Sequence, residues 1–309
     1  MRITTDSGDV LVQADGTDPT PGPDEILLIV TVRDEAIRIP YLLEYYRQLG
    51  VDRLLFIDNG SSDGTLELLL EETGVHVFTT DAGFAHARSG TDWVNAIGIA
   101  LGREHWIVTV DADELLVYPE SEQRSLRELT EVMADTGSTA LLTFLLDMYA
   151  RSPIREVDYE PGTPFTEACP YLDSDSYEFR RGHPIPVSGG PRQRLFWREG
   201  DENRTPPPLL RKIPLVRWGE QAPYSLSTHN APDVVLARTT GALLHFKMFS
   251  DFTHRALAES HRGEHWDHGG QYEAYASRLV DEGDLSAFND GSVRYTGTRQ
   301  LVDLGLLTP

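Results

Sequence analysis

The apolar positions fall into short unbroken runs separated by polar, glycine-containing turns. Ile26 to Val32, Arg53 to Asp58, Val75 to Thr80 and Trp106 to Val110 each read as a strand. Their continuous apolar character suits strands covered on both faces, as in a parallel sheet. Between them the period lengthens. Pro40 sits where a first-turn proline belongs, and Tyr41 to Leu49 carries a helical stripe that Gly50 stops. Leu66 to Glu72 predicts a second helix, and the polar segment Asp81 to Thr91 leads into a third that runs through Ala100. The order β-α-β-α-β-α-β predicts right-handed crossovers and a parallel sheet.

After Glu114 the pattern changes. Ser125 to Ala134 predicts a helix and Thr139 to Tyr149 another buried strand. Arg151 to Asp233 holds 13 of the 19 prolines. It is too long for a plain loop and reads as a functional segment with short strands. Gly241 to Met248 predicts a final apolar strand, and Asp251 to His261 and Gln271 to Glu282 two further helices. The first 24 residues, rich in Asp, Gly, Thr and Pro, read as an arm or edge hairpin followed by a loop.

Composition narrows the partners. The net charge of −22 makes nucleic acid and anionic membranes poor partners, so a polyanionic substrate needs a local basic pocket or a metal. Cys169 is the sole cysteine, which excludes an intrachain disulfide and a multi-cysteine metal site. Met1 to Pro23 lacks the basic end and apolar core of a signal peptide, and no run approaches the length of a membrane span. The expected compartment is the cytoplasm.

The run Trp106 to Val110 ends in Asp111, Ala112, Asp113 and Glu114. Three carboxylates in four residues are costly beside a core unless a cation pairs with them. In an open parallel sheet, ligands gather beyond the carboxyl ends of the strands, where these acids fall. Residues i and i+2 of an extended segment point to the same side, so Asp111 and Asp113 are placed to converge on one cation. Carboxylate oxygens suit hard ions such as Mg2+ or Mn2+, which substrate phosphates often share. The same spelling also simply ends strands at solvent, and alone it does not separate the two readings.

Four pieces in order now stand together: Val30-Thr-Val-Arg-Asp-Glu35, Leu55-Phe-Ile-Asp-Asn-Gly-Ser-Ser-Asp-Gly-Thr65, Ala87-Arg88 and Val110-Asp-Ala-Asp-Glu-Leu115. They resemble the GT-A glycosyltransferases of family 2. Leu146-Asp-Met-Tyr149, Gly189-Gly-Pro-Arg-Gln-Arg194, Lys212-Ile-Pro-Leu215, Ser227-Thr-His-Asn230 and Leu244-His-Phe-Lys247 resemble a bacterial family 2-like branch. The resemblance covers Ile26 to Phe249 and is strongest before Tyr118. It implies an α/β fold of the GT-A type, Rossmann-like, with a mostly parallel central sheet flanked by helices, an irregular acceptor-side segment and C-terminal helices. The expected organisation is an arm over 1–24, a catalytic domain over 25–250 and a helical extension over 251–309. Within the catalytic domain, 25–118 is the nucleotide-sugar half and 119–250 the acceptor half.

The same resemblance implies a metal-dependent, inverting glycosyltransferase of hexosyltransferase type. It moves a sugar from a nucleotide-sugar donor, a UDP-sugar by expectation, to a glycan or small-molecule acceptor. Thr31, Val32 and Arg33 would floor the base, Asp58 would meet uracil or ribose, and Arg88 would face the donor's phosphate or ribose side. Asp113 is the first choice for a direct ligand of Mn2+ or Mg2+. Asp111 would reach the ion directly or through water, and otherwise face the ribose. His245 is either a further metal ligand or a satisfied core histidine, with His229 as its rival. Lys247, Arg192 and Arg194 are candidates for the diphosphate, although a glycine pair beside arginines also makes a plain hairpin. Asp147 is the expected general base, with Asp175, Glu178 and His229 as rivals.

Several positions carry plain structural readings as well. Asp63 is as good a helix N-cap as a ligand contact. Glu35 suits the first turn of a helix, Arg88 a surface ion pair, and Glu114 a backbone contact at its turn. His254, His261, His265 and His268 read as a solvated helical face before a flap or a second metal site. Two other functions compete: a nucleotidyltransferase acting on sugar phosphates, and a non-catalytic nucleotide-sugar-binding protein. The turn after the first long strand lacks the glycine-rich loop and lysine that the former commonly shows.

Overall fold

A computed structural model describes residues 1–180, 182, 185–198, 200, 205–265 and 269–309. Its strands are β1 (Arg2–Thr4), β2 (Val10–Gln13), β3 (Ile26–Val32), β4 (Arg53–Asp58), β5 (Val75–Thr79), β6 (Trp106–Val110), β7 (Glu114–Val117) and β8 (Ala140–Asp147). They continue with β9 (Tyr171–Asp173), β10 (Tyr177–Phe179), β11 (Val187–Gly189), β12 (Arg211–Arg217), β13 (Gly241–His245) and β14 (Ser292–Arg294). Ten of them form one sheet in the order β1-β2-β5-β4-β3-β6-β12-β8-β13-β7.

The middle of that sheet follows the periodicity. β5, β4, β3 and β6 pair in parallel. On one flank β2 joins β5 antiparallel, with β1 beyond it, so the N-terminal arm is an edge hairpin. On the other flank β13 pairs parallel with β8 and antiparallel with β7. β1, β3, β4, β5, β6, β8 and β13 therefore point one way, and only β2, β7 and β12 oppose them. The fold is mixed α/β, with a large, mostly parallel central sheet flanked by helices. Among the described residues, no helix is long and apolar enough to cross a membrane.

Alternation decides which side each strand residue serves. Leu28, Val30 and Val32 of β3, with Leu54 and Phe56 of β4, pack into the core under α1 (Ile39–Leu49) and α2 (Thr65–Glu71). Leu27, Ile29, Leu55 and Ile57 pack into a second core with Trp93 and Ile97 of α3 (Thr91–Leu101). α1 begins with Pro40 in its first turn and ends at Gly50, whose φ of 98° lets it accept the left-handed cap. α4 (Leu126–Asp135) opens with a capping box, Ser125 receiving the Glu128 backbone N–H and Glu128 receiving that of Ser125. α5 (Phe165–Ala168) and α6 (Gly190–Phe196) lie within the proline-rich segment. α7 (Phe252–Arg262) and α8 (Gly270–Asp281) pack with α6 through Phe196, Phe252 and Tyr275, and α9 (Thr298–Asp303) follows β14.

Two expectations change. Glu35 is not in the first turn of a helix: α1 starts at Ile39 and has no acid in that turn, and Glu35 is buried in ion pairs instead. The proline-rich segment also yields a strand at the heart of the sheet. β12 enters antiparallel between β6 and β8. Pro214 cannot donate to the ladder, and the register with β8 shifts between Lys212 and Leu215, which accommodates it.

Candidate active site

The acids of the central strand collect a buried lysine. Because β12 runs against its neighbours, its first residues lie at their carboxyl ends. Lys212 is 3% exposed there, and its Nζ donates to Glu114 Oε1 and Oε2 at 2.8 and 2.6 Å and to Asp111 Oδ2 at 3.1 Å. Glu114 Oε2 also accepts the Asp111 backbone N–H at 2.9 Å, the turn role considered for it. Burial, then repulsion by Asp111, pushes the Glu114 carboxyl up to about 7, against the pull of Lys212. The Asp111 side chain itself remains largely exposed.

Asp113 faces elsewhere. Phe246 N–H donates to the Asp113 carbonyl and Met148 N–H to that of His245, which locks three strand ends side by side. In register, His245 stands beside Asp147 on the parallel neighbour and opposite Glu114 on the antiparallel one. His245 Nδ1 lies 2.6 Å from Asp147 Oδ1, and its Nε2 lies 3.5 Å from Asp113 Oδ2. Lys247 Nζ is 3.4 Å from the same Asp113 oxygen, which has no hydrogen bond of good geometry despite its burial. Burial pushes the Asp113 carboxyl up, but Lys247 and then His245 outweigh it and hold it well below the usual range. Burial opposes protonation of His245, yet the flanking carboxylates hold it above the ordinary histidine range.

Asp147 is 1% exposed, and Arg192 Nε approaches its Oδ1 at 2.7 Å. Burial raises its carboxyl, while Arg192 and His245 bring it down to about 2. A carboxylate this well compensated is a weak proton acceptor, and its bond to His245 is the one that fixes imidazole tautomers beside metals. The expected general base thus has its Oδ1 engaged by both His245 and Arg192.

Beside this cluster, at the carboxyl ends of β3, β4 and β5, lies a polar cleft of about 320 Å³ lined by Arg33, Asn59, Asp81, Gly83, Arg262 and Glu264. Arg33 Nη1 donates to the Asn59 carbonyl at 2.6 Å. Asp58, 2% exposed, accepts from Gly60 and Ser61 N–H through Oδ2, while its Oδ1 is buried with no hydrogen-bond partner. Thr31 Oγ1 is likewise buried without one, and Val32 belongs to the core. A larger cleft, about 1220 Å³, lies against α4 and α9 and includes none of the strand-end acids.

The remaining expected residues pair with other groups, stay exposed or lie outside the described residues. Arg88 pairs with Asp92 at the start of α3 and does not line the cleft. Arg194 holds Asp173 and the Ala287 carbonyl. Asp63 is not the N-cap of α2, a place taken by Gly64; it lies one residue earlier and accepts the Thr65 and Ala36 N–H groups. His229 Nδ1 meets the Arg211 carbonyl, and desolvation, then Lys212, pushes it down to about 4. Asp175 and Glu178 are exposed, the latter against Arg180. His265 pairs with Glu259, His254 and His261 are exposed, and His268 lies outside the described residues.

Lys212, Arg255 and Arg262 were not foreseen as site residues. Lys212 carried a signal: a lone lysine in the apolar run Lys212-Ile-Pro-Leu-Val216 requires buried carboxylates. Arg255 reaches Glu35 from α7, across 220 residues of sequence, a pairing no local pattern reveals.

No protein-family model matches the chain, and no curated protein matches it. Among solved structures, similarity is found to a glucosyl-3-phosphoglycerate synthase from Mycobacterium tuberculosis in complex with Mn2+, UDP and glucosyl-3-phosphoglycerate. Identity there is 15% and the TM-score 0.25, over 42% of this chain and 45% of that one. A 4-diphosphocytidyl-2C-methyl-D-erythritol synthase is 13% identical with a TM-score of 0.29, over 92% and 99% of the two chains. An apo UDP-glucose pyrophosphorylase is 11% identical with a TM-score of 0.27, over 91% and 96%. At these scores the likenesses decide nothing about this chain's function.

Proposed function

We propose that this protein is a metal-dependent glycosyltransferase that takes a sugar from a nucleoside-diphosphate donor, a UDP-sugar in the first instance, to an acceptor hydroxyl. The observation that carries the reading is the meeting of Asp113 Oδ2 and His245 Nε2 at the sheet's carboxyl edge, 3.5 Å apart and both buried, with His245 oriented by Asp147. An acceptor oxygen without a good hydrogen bond beside an imidazole nitrogen is a donor pair suited to Mn2+ and, less well, Mg2+. Among the described residues no three potential ligands are gathered, and Asp111 accepts a hydrogen bond from Lys212. Two protein groups suffice for such an ion when substrate phosphates and water complete its shell. When bound, it would offset the charge that develops on a departing diphosphate.

The chain's own residues support the rest. Lys247, beside Asp113, and Arg255 in the first turn of α7, paired with Glu35, supply further positive charge near it. The polar cleft at the ends of β3 to β5 has the size for one base, and Asp58 Oδ1 and Thr31 Oγ1 are buried polar atoms near it awaiting partners. Asp147 acts through His245 in this reading and does not touch the acceptor.

The test is turnover of a UDP-sugar panel with Mn2+, following UDP and free sugar. Formation of UDP supports glycosyl transfer. Pyrophosphate release from a nucleoside triphosphate and a sugar phosphate, without UDP formation, would reject it for nucleotidyl transfer.

A further inference from the structure

The cleft at the ends of β3 to β5 is also lined by Arg262, the last residue of α7, and by Glu264 just beyond it, some two hundred positions later in the chain. We propose that Arg262 determines which nucleobase the donor may carry. This rests on the nucleotide-donor reading and adds a wall to that site.

Arg262 is held at the rim by a fixed partner. Asn59 donates both amide hydrogens to the Thr80 and Ala82 carbonyls, each at 3.0 Å, so its amide has one orientation and presents Oδ1 outward. Arg262 Nη2 donates to that Oδ1 at 2.8 Å, and Nη1 lies 3.5 Å from Glu259 Oε2. Glu259 is in turn paired with His265 Nε2 at 2.9 Å. Glu264 Oε2 accepts the Ala85 N–H at 2.9 Å, and a Cβ on Gly83 would stand 3.2 Å from that oxygen, so the glycine permits the approach. α7 is itself fastened: Arg38 Nη1 and Nη2 reach Asp251 at 2.7 and 2.9 Å, and Arg255 pairs with Glu35.

The wall is thus tied to the floor by hydrogen bonds at Asn59 and Ala85. A guanidinium has a flat face that stacks on a heterocycle and an edge that donates to its carbonyls. A pyrimidine with two carbonyls flanking an N–H complements a cleft that offers Arg33 and Arg262 as donors and Asp81 as an acceptor. A guanine offers one carbonyl beside an N–H and an amino group, so the same donor pair, Arg262 held on Asn59 and Arg33, matches it less well.

The experiment measures binding of UDP, GDP and inorganic pyrophosphate, each with Mn2+, by calorimetry. It compares the unaltered chain with Arg262→Ala and Arg262→Lys. The expected result is a loss of about tenfold for UDP in both variants, a narrower UDP-to-GDP ratio, and unchanged pyrophosphate binding. Equal weakening of pyrophosphate, or UDP binding that does not change, would overturn the proposal. Arg262→Lys keeps the charge toward Glu259 and guards against a result due to misfolding of the alanine variant. If the unaltered chain binds no nucleotide at all, the donor reading fails and this inference with it. If it binds UDP and the variants match it, only the inference fails.

Discussion

His245 and Asp147 share a short contact, Nδ1 to Oδ1 at 2.6 Å, across two parallel strands in register. That contact turns Nε2 toward Asp113 and assigns Asp147 to the imidazole. Asp147→Asn should therefore raise the Mn2+ concentration needed for half-maximal turnover by about 10- to 100-fold. Saturating Mn2+ should restore most of kcat. A titration of activity against Mn2+ checks this, because loss of a general base would not be rescued by more ion.

Asp113→Asn should lower UDP-sugar turnover by orders of magnitude with the fold retained, at a lowered melting temperature because Lys247 and His245 lose their buried carboxylate partner. The asparagine keeps the shape and leaves Lys247 and His245 in place. Steady-state rates with the far-UV spectrum as a control measure it. Near-normal turnover would remove Asp113 from the metal role.

Lys212→Met should destabilise the fold by about 3–5 kcal/mol, because it leaves Glu114 buried without its cation. Adding Glu114→Gln should recover part of the loss, since both charges are then gone. Urea denaturation of the two single variants and the pair gives the coupling directly.

Gly98 in α3 lies flat against the Trp218 ring: a Cβ there would sit 2.0 Å from a ring carbon. Gly98→Ala gains helix propensity, yet the clash should dominate at about 1–3 kcal/mol. Thermal unfolding checks the sign, which a propensity argument alone gets wrong.

Asp15 ties the edge hairpin to β5 by accepting the Val77 N–H at 3.1 Å. Burial raises its carboxyl, but hydrogen bonds from Thr17 and Val77 lower it to about 2, below the ordinary 3.8. A depressed carboxylate contributes stability that is complete above its unfolded value and lost as pH falls through its folded one. The stability gap between the unaltered chain and Asp15→Asn should therefore hold above pH 4 and close between pH 4 and 2. Denaturant midpoints at pH 6, 4 and 2.5 test it.

The first half was legible because each strand is a continuous apolar run and each crossover a helix of ordinary length. Ile26 to Val110 appears nearly residue for residue, with α1 beginning two residues early. The place of Asp113 just past a buried strand was legible for the same reason, since the acids directly follow the apolar run Trp106 to Val110. β12 was hidden by Pro214, which demotes a run that would otherwise read as a central strand. With β12 hidden, Lys212 had no place beside the acids. The pairing of Asp147 with His245 was not legible, because a strand-end carboxylate looks the same whether it faces substrate or a histidine. Only the register of β8 and β13 tells them apart.

The central position of β12 has a consequence for biosynthesis. Hairpins and crossovers can form as soon as their residues leave the ribosome, but β6 and β8 cannot be bridged until Arg211 to Arg217 has been made. Through that interval a nascent chain carries unpaired backbone along both strands, where another chain can attach. Ribosome stalling before residue 211 should thus yield aggregation-prone fragments, and a chaperone that shields such edges would matter most over this stretch of translation.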